Sequence, residues 1–173
     1  MAVQVQGKQV VASVDISTSA EDTSPAWLLD ISGGLTVAVA AQDVIYVFPQ
    51  VPQVVPVPQT PDHVTGVLVW QQRLVPAIDL GMYLDLKQTA NDEIQAEVMV
   101  LVALAGSKLG ALVLRQIPER VDVADSRQCD LPPVLHGWDC LAPSCFMHEV
   151  RGVVPILDLN TVFGRNLKTE IKD

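Results

Sequence analysis

Two aspartates stand in matching frames of a repeated phrase: VPAIDL at Val75 to Leu80 returns as VPILDL at Val154 to Leu159. Two related halves that each contribute one carboxylate are the arrangement of an aspartic-protease-type hydrolase, in which like charges held close together share one proton. Asp79 and Asp158 are the candidate pair. Such a dyad requires a small hydroxyl residue and a glycine after each Asp, so that the two loops can approach and hydrogen-bond one another. Here Leu80 and Leu159 follow. A Leu in that position fits a packed strand-to-helix corner whose Asp accepts backbone N–H groups, so the pattern predicts two helix N-caps in preference to a dyad.

A second cluster, Cys129, His136, Cys140, Cys145 and His148, carries ligand types that zinc accepts. It contains no C-x-x-C knuckle. Cys145 and His148 fall on one predicted strand at odd spacing, which sends their side chains to opposite faces. No metal site is therefore expected; the cysteines read as small apolar fillers and the two histidines as surface residues. A Cys–His nucleophilic pair would lack both a third residue to orient the base and a strained nucleophile turn. Gly106 and Gly110 flank a hairpin turn and do not precede a helix, so the N–H array that cradles phosphate is missing. Neither a catalytic residue nor a cofactor site emerges, which leaves function to surfaces.

The elements that carry these residues are short strands with tight turns. Residues 1–25 are polar and small and read as a flexible arm. Trp27 to Ile31 and Leu35 to Val39 form a hairpin around Ser32-Gly33-Gly34, whose glycines supply positive φ. Val44 to Phe48 is β-branched and aromatic. Five prolines between Pro49 and Pro61 exclude helix and central strand, so that segment runs extended along a surface or edge, as a rigid connector more than as a polyproline ligand. Val64 to Trp70 and Arg73 to Ile78 make a second hairpin turning at Gln71-Gln72, and Asp79 to Leu86 closes the unit as a capping helix. After a polar hinge at Thr89 to Glu93 the pattern restarts. Strands follow at Val98 to Ala105, Leu109 to Leu114 and Ile117 to Val123. Residues Asp125 to Pro143 are irregular; a last hairpin and a helix from Asp158 to Gly164 end the pattern. The expectation is a mainly β chain of two five-stranded, SH3-like β-barrel subdomains with short capping helices, at 26–88 and 89–173, the latter including a C-terminal tail.

Composition narrows the function further. The 173 residues are 49% hydrophobic with a formal charge of -9, which opposes binding to a phosphate backbone and makes nucleic acid an unexpected partner. Apolar runs fall far short of the ~20 residues that a bilayer core demands, so no membrane insertion is expected. Three cysteines confined to one region do not make a secreted disulfide framework, and the chain reads as cytoplasmic with reduced thiols.

Val55 to Leu80, VPVPQTPDHVTGVLVWQQRLVPAIDL, resembles the CheW-like domain, whose phrase runs roughly V-P-x-x-P-x-x-V-x-G-V-x-N-L-R-G-x-x-V-P-V-x-D-L. The Pro-rich approach, Gly66-Val67, Val75-Pro76 and Asp79-Leu80 match in spacing. VMVLVALAGSKLGALVLRQIPERV is similar to the family's second strand-turn-strand, and VVPILDLNTVF to its closing strand and helix. The resemblance covers about Ala26 to Gly164. It implies a non-enzymatic adapter between a CheA-type histidine kinase regulatory domain and the cytoplasmic tip of methyl-accepting chemoreceptors. Where the family has N-L-R-G, this chain has Val69-Trp70-Gln71-Gln72. Gln71 cannot form the forked carboxylate pair of an Arg, which points to a divergent or auxiliary adapter of twitching-motility type. Val44 and Tyr46, carried over from a partner-facing family strand, join Trp70, Gln71 and Gln72 as the expected protein-binding residues. Trp70 either anchors a partner or packs on the Pro-rich segment.

Overall fold

Val98 to Leu104 and Leu109 to Leu114 are apolar at consecutive positions, a pattern of strands buried on both faces. The computed structural model, which describes residues 22–86, 98–135 and 138–165, shows what covers each face. Its elements are β1 (Thr23–Asp30), β2 (Thr36–Ala40), β3 (Val44–Phe48), β4 (Val64–Trp70), β5 (Arg73–Asp79), α1 (Leu80–Tyr83), β6 (Val98–Leu104), β7 (Lys108–Leu114), β8 (Glu119–Ala124), β9 (Gln128–Cys129), β10 (Ser144–His148), β11 (Gly152–Ile156) and α2 (Leu159–Arg165).

They form two mixed sheets, one in the order β8-β1-β2-β11-β10-β9 and one in the order β3-β6-β7-β5-β4. The mainly β architecture with short helices is as expected, with the two-residue β9 making one sheet six-stranded. The division at residue 88 is not how the strands are distributed. The five-stranded sheet takes β3, β4 and β5 from before the break and β6 and β7 from after it; the six-stranded sheet joins β1 and β2 to β8, β9, β10 and β11. The two halves meet through parallel pairs, β5 with β7 and β11 with β2, and through antiparallel pairs of β3 with β6 and β1 with β8. Sequence similarity between the halves reveals repeated hairpins but not this exchange, because strand pairing across the break leaves no local signal.

Alternation along the exchanged strands explains the continuous apolar runs. Val100 and Val102 of β6 and Leu112 and Leu114 of β7 face a large core at the seam between the sheets, with Leu29, Val37 and Val39 from the other side. Met99, Leu101, Ala111 and Val113, the intervening residues, face a second core with Phe48, Leu68 and Val75. Leu28, Ala38, Phe146 and Val154 form a smaller cluster on the far face of the six-stranded sheet. With a period of two, each such strand feeds two cores and has no polar face.

The arm expected over 1–25 lies outside the described residues up to 21, and its last part is a correction: Thr23, Ser24 and Pro25 belong to β1 and pair with Ala124, Val123 and Asp122. Pro25 is tolerated because the β1 pairing with β2 begins at Ala26. The expected hinge at Thr89 to Glu93 and the C-terminal tail beyond 165 lie outside the described residues. The Pro-rich segment runs along the open edge of β4, where the Val55 N–H donates to the Val67 carbonyl (2.8 Å) and the Val67 N–H to Val55 (2.9 Å). Gly66 has φ +143°, and a side chain there would strike the Val55 carbonyl, so the Gly66-Val67 step is where the connector's backbone lies closest against the strand.

Candidate protein-binding surface

At one end of the five-stranded sheet the β4–β5 hairpin turns in two residues, Gln71 (φ 46°) and Gln72 (φ 64°), both in the left-handed region and both exposed. Two positive φ values suit the right-handed twist of the flanking strands, although Gln gains no side-chain hydrogen bond from that conformation as Asn would. Trp70, just before the turn, is half-buried. Its ring lies 4.9 Å from Tyr46 and 5.4 Å edge-on from Phe48, centroid to centroid, so aromatic contact draws the two outer strands, β3 and β4, together. Val54 of the Pro-rich segment packs on the same cluster. Trp70 therefore packs within its own sheet while keeping part of its surface in water.

Tyr46, Trp70, Gln71 and Gln72 are thus brought together. Val44 is not. The register of β3 against β6 shifts between Val44 and Tyr46, and the irregularity breaks the alternation that would put both side chains on one face. Val44 packs against the seam core, while Ile45 and Tyr46 are both exposed.

An apolar strip escaped the sequence reading. Val69, 68% exposed, lies directly opposite Leu74, 74% exposed, and the neighbouring pair on the same face is Val67 with Pro76. Val55, also exposed, extends the strip along the Pro-rich segment. Exposure alternates from Val67 to Trp70 and from Leu74 to Ala77, which gives the hairpin one buried and one outward face near its tip, and the outward positions here are apolar. Arg73 follows the turn and donates to the Ser107 carbonyl in the neighbouring β6–β7 turn, tying the two hairpin tips together. A cation therefore stands two positions after Gln71, where the family's tip Arg is missing.

The repeated aspartates do different work. Asp79 accepts the Met82 N–H (3.1 Å) as N-cap of α1, accepts the Ser32 hydroxyl, and lies 3.5 Å from the Arg115 guanidinium. It is buried, and Gly81 lets Ser32 of the β1–β2 turn press against the start of α1, where any side chain would collide with it. Asp158 accepts the Asn160 N–H (3.0 Å) and the Thr161 hydroxyl (2.7 Å) as cap of α2. The carboxylate that feels the Asp158 charge is Asp43, whose pKa is raised by burial and then by Asp158. No hydrogen bond joins Asp79 to Asp158 among the described residues, and each carboxylate is committed to its own helix.

The Cys and His residues do not converge on a metal either: among the described residues no group of three ligands is placed to hold one. Cys140 is exposed, and His148 accepts backbone N–H groups of Val150 and Arg151 at 3.3 Å, stabilising the β10–β11 turn. His136 lies outside the described residues.

No curated protein sequence matches the chain. Among solved structures, the scaffolding protein TtCheW from Thermoanaerobacter tengcongensis is similar, with a TM-score of 0.70 at 16% identity over 88% of this chain and 100% of that one. At that identity the likeness speaks for the fold. The family assignment comes from the sequence: the CheW-like domain model matches residues 27–133, a span that takes in both hairpins, the Pro-rich edge, Asp79 and the exchanged strands β6 and β7. This chain belongs to the CheW-like domain family.

Proposed function

We propose that the chain is a non-catalytic, cytoplasmic adapter of a chemosensory array, coupling a CheA-type histidine kinase regulatory domain to the cytoplasmic tip of methyl-accepting receptors. Membership of the CheW-like family carries this reading. The exposed end of the five-stranded sheet supplies it with a surface: Ile45 and Tyr46 on one edge, Trp70 to Gln72 at the tip, and the Val69–Leu74 pair beside them. Apolar groups left in water beside a polar tip are the composition of a binding patch with a dry centre and a wet rim. Among the described residues no helix is long and apolar enough to cross a membrane.

Replacement of the tip Arg by Gln71 supports an adapter with altered receptor preference, of the auxiliary or twitching-motility kind, because a neutral amide cannot reproduce a forked charge pair. Titration calorimetry against the cognate CheA regulatory domain tests the proposal. Binding of the wild type, weakened at least tenfold by Trp70→Ala and by the exposed-site change Val69→Ser, is the expected result. Val69 contributes little to the core, so its loss of affinity separates contact from folding. No heat at high micromolar wild-type protein would refute the adapter reading.

A further inference from the structure

The two strands β9 and β10 place two thiols face to face. Cys129 pairs directly with Cys145 in the antiparallel register, and the Sγ atoms stand 3.4 Å apart. Directly opposed residues in such a ladder have Cα atoms about 4.5–5.5 Å apart, inside the range that a disulfide spans. Closing the remaining gap between the sulfurs needs side-chain rotation and no new chain path. Both thiols are free in this structure. Cys145 is buried and its thiol also meets the Cys129 carbonyl (2.6 Å), whereas Cys129 is partly open to solvent.

We infer that Cys129 and Cys145 form an oxidation site for peroxide-class oxidants, in which Cys129 is attacked first and Cys145 resolves it to an intrachain disulfide. The Cys129 thiolate attacks one peroxide oxygen. The O–O bond breaks, and hydroxide leaves and is protonated to water, giving a sulfenic acid. The Cys145 sulfur releases its proton to solvent and attacks the Cys129 sulfur; the S–S bond forms, the S–O bond breaks, and a second water leaves. Two thiols lose two electrons and two protons, and the peroxide is reduced to two waters. Burial, followed by the hydrogen bond shared with the Cys129 sulfur, pushes the Cys145 thiol up to about 11, so the second step accelerates as pH rises from neutrality.

The placement gives the bond a structural consequence. Between the two cysteines the chain leaves the sheet to deliver Leu135, Trp138, Leu141 and Ala142 into the seam core, and returns. Its exit is held by a strand of only two residues, Gln128 and Cys129. A Cys129–Cys145 bond closes this excursion covalently at its neck. In a reducing compartment such a bond forms transiently, as a response to oxidant. The inference is independent of the adapter reading, since it concerns a different sheet and needs no partner.

The full chain treated with hydrogen peroxide and then with a maleimide tests the site. The expected product is about 2 Da lighter, retains one reactive thiol of three, melts about 5–10 °C higher, and reverts with dithiothreitol. In Cys140→Ser, cleavage at Asp130 and Asp139 should leave the fragment that carries Cys129 joined to the one that carries Cys145 by the disulfide. Cys129→Ser should lose both the mass change and the thermal gain, and serine is close in size to the half-buried cysteine it replaces. Three reactive thiols after peroxide, a bond through Cys140, a disulfide-linked dimer, or sulfinic acid at Cys129 without cross-linking would each overturn the inference.

Discussion

The repeated aspartates make a quantitative test, because matching residues in matching frames should differ several-fold in what they contribute. Asp79→Ala removes an N-cap, worth about 1 kcal/mol. It also withdraws the carboxylate from Arg115, in a pair whose side chains are 12% and 7% exposed, and from the Ser32 hydroxyl, which is fully buried. Breaking a buried pair from one side costs about 3–5 kcal/mol, since the remaining charge stays in a poorly solvated site. These contributions share one carboxylate and do not add fully, so the expected cost is about 4 kcal/mol. Asp158→Ala loses a more accessible cap and a hydroxyl partner, about 1 kcal/mol. In a chain of this size each kcal/mol lowers Tm by about 2–4 °C, which separates the two variants clearly. Urea unfolding followed through Trp27, Trp70 and Trp138 reads both. Asp79→Ala combined with Arg115→Leu removes both buried charges and should cost less than the sum of the single changes by about 2 kcal/mol. Equal costs for the two aspartates, or a double variant that is merely additive, would refute the assignment of Asp79 as a buried latch.

Two further outcomes follow from the hairpin tip and from the β2–β3 turn. Gln71→Asn together with Gln72→Gly places residues suited to positive φ at both turn positions and should stabilise the protein by about 1–2 kcal/mol, while weakening binding to the CheA regulatory domain; a stabilised variant with undiminished affinity would remove Gln71 and Gln72 from the surface. Asp43 has a folded-state pKa above its ordinary 3.8, so the folded protein holds that proton more firmly and loses stability as pH rises through the window just above 3.8. Asp43→Asn should therefore raise Tm at pH 7 and leave it nearly unchanged near pH 3; an equal difference at both pH values would contradict the repulsion between Asp43 and Asp158.

The sequence disclosed whatever is local. Ser32-Gly33-Gly34 announces its hairpin through conformational freedom, the prolines announce an extended edge, and a Leu after each repeated Asp announces a packed helix start. The tip was legible too, because the polar pair Gln71-Gln72 interrupts two apolar runs. What stayed hidden depends on contacts between distant residues. Arg115 reads as a stray cation beside a strand until β7 lies parallel to β5 and carries it to Asp79. The family resemblance puts Val44 on a partner-facing strand, but an irregularity in β3 that no residue type marks sets it against the seam. Val69 and Leu74 look like ordinary strand residues, and only the missing cover over their face makes them a candidate surface. Cys129 and Cys145 are sixteen residues apart and become neighbours through the pairing of a two-residue strand.

The exchange of strands between the halves also orders events on the ribosome. β2 has its hydrogen-bonding partner β1 within a few residues, but its other edge waits for β11, whose Ile156 pairs with Ala38 and whose following Leu157 N–H donates to the Ala38 carbonyl. β1 waits in the same way for β8, about a hundred residues downstream. Contacts of such separation form slowly and only after a large loss of chain entropy. A nascent chain that has delivered every residue of the first hairpins still presents two raw strand edges and half of a seam core. The six-stranded sheet can be completed only when synthesis has passed Ile156, so the protein's most vulnerable interval is the time between translating its beginning and its end.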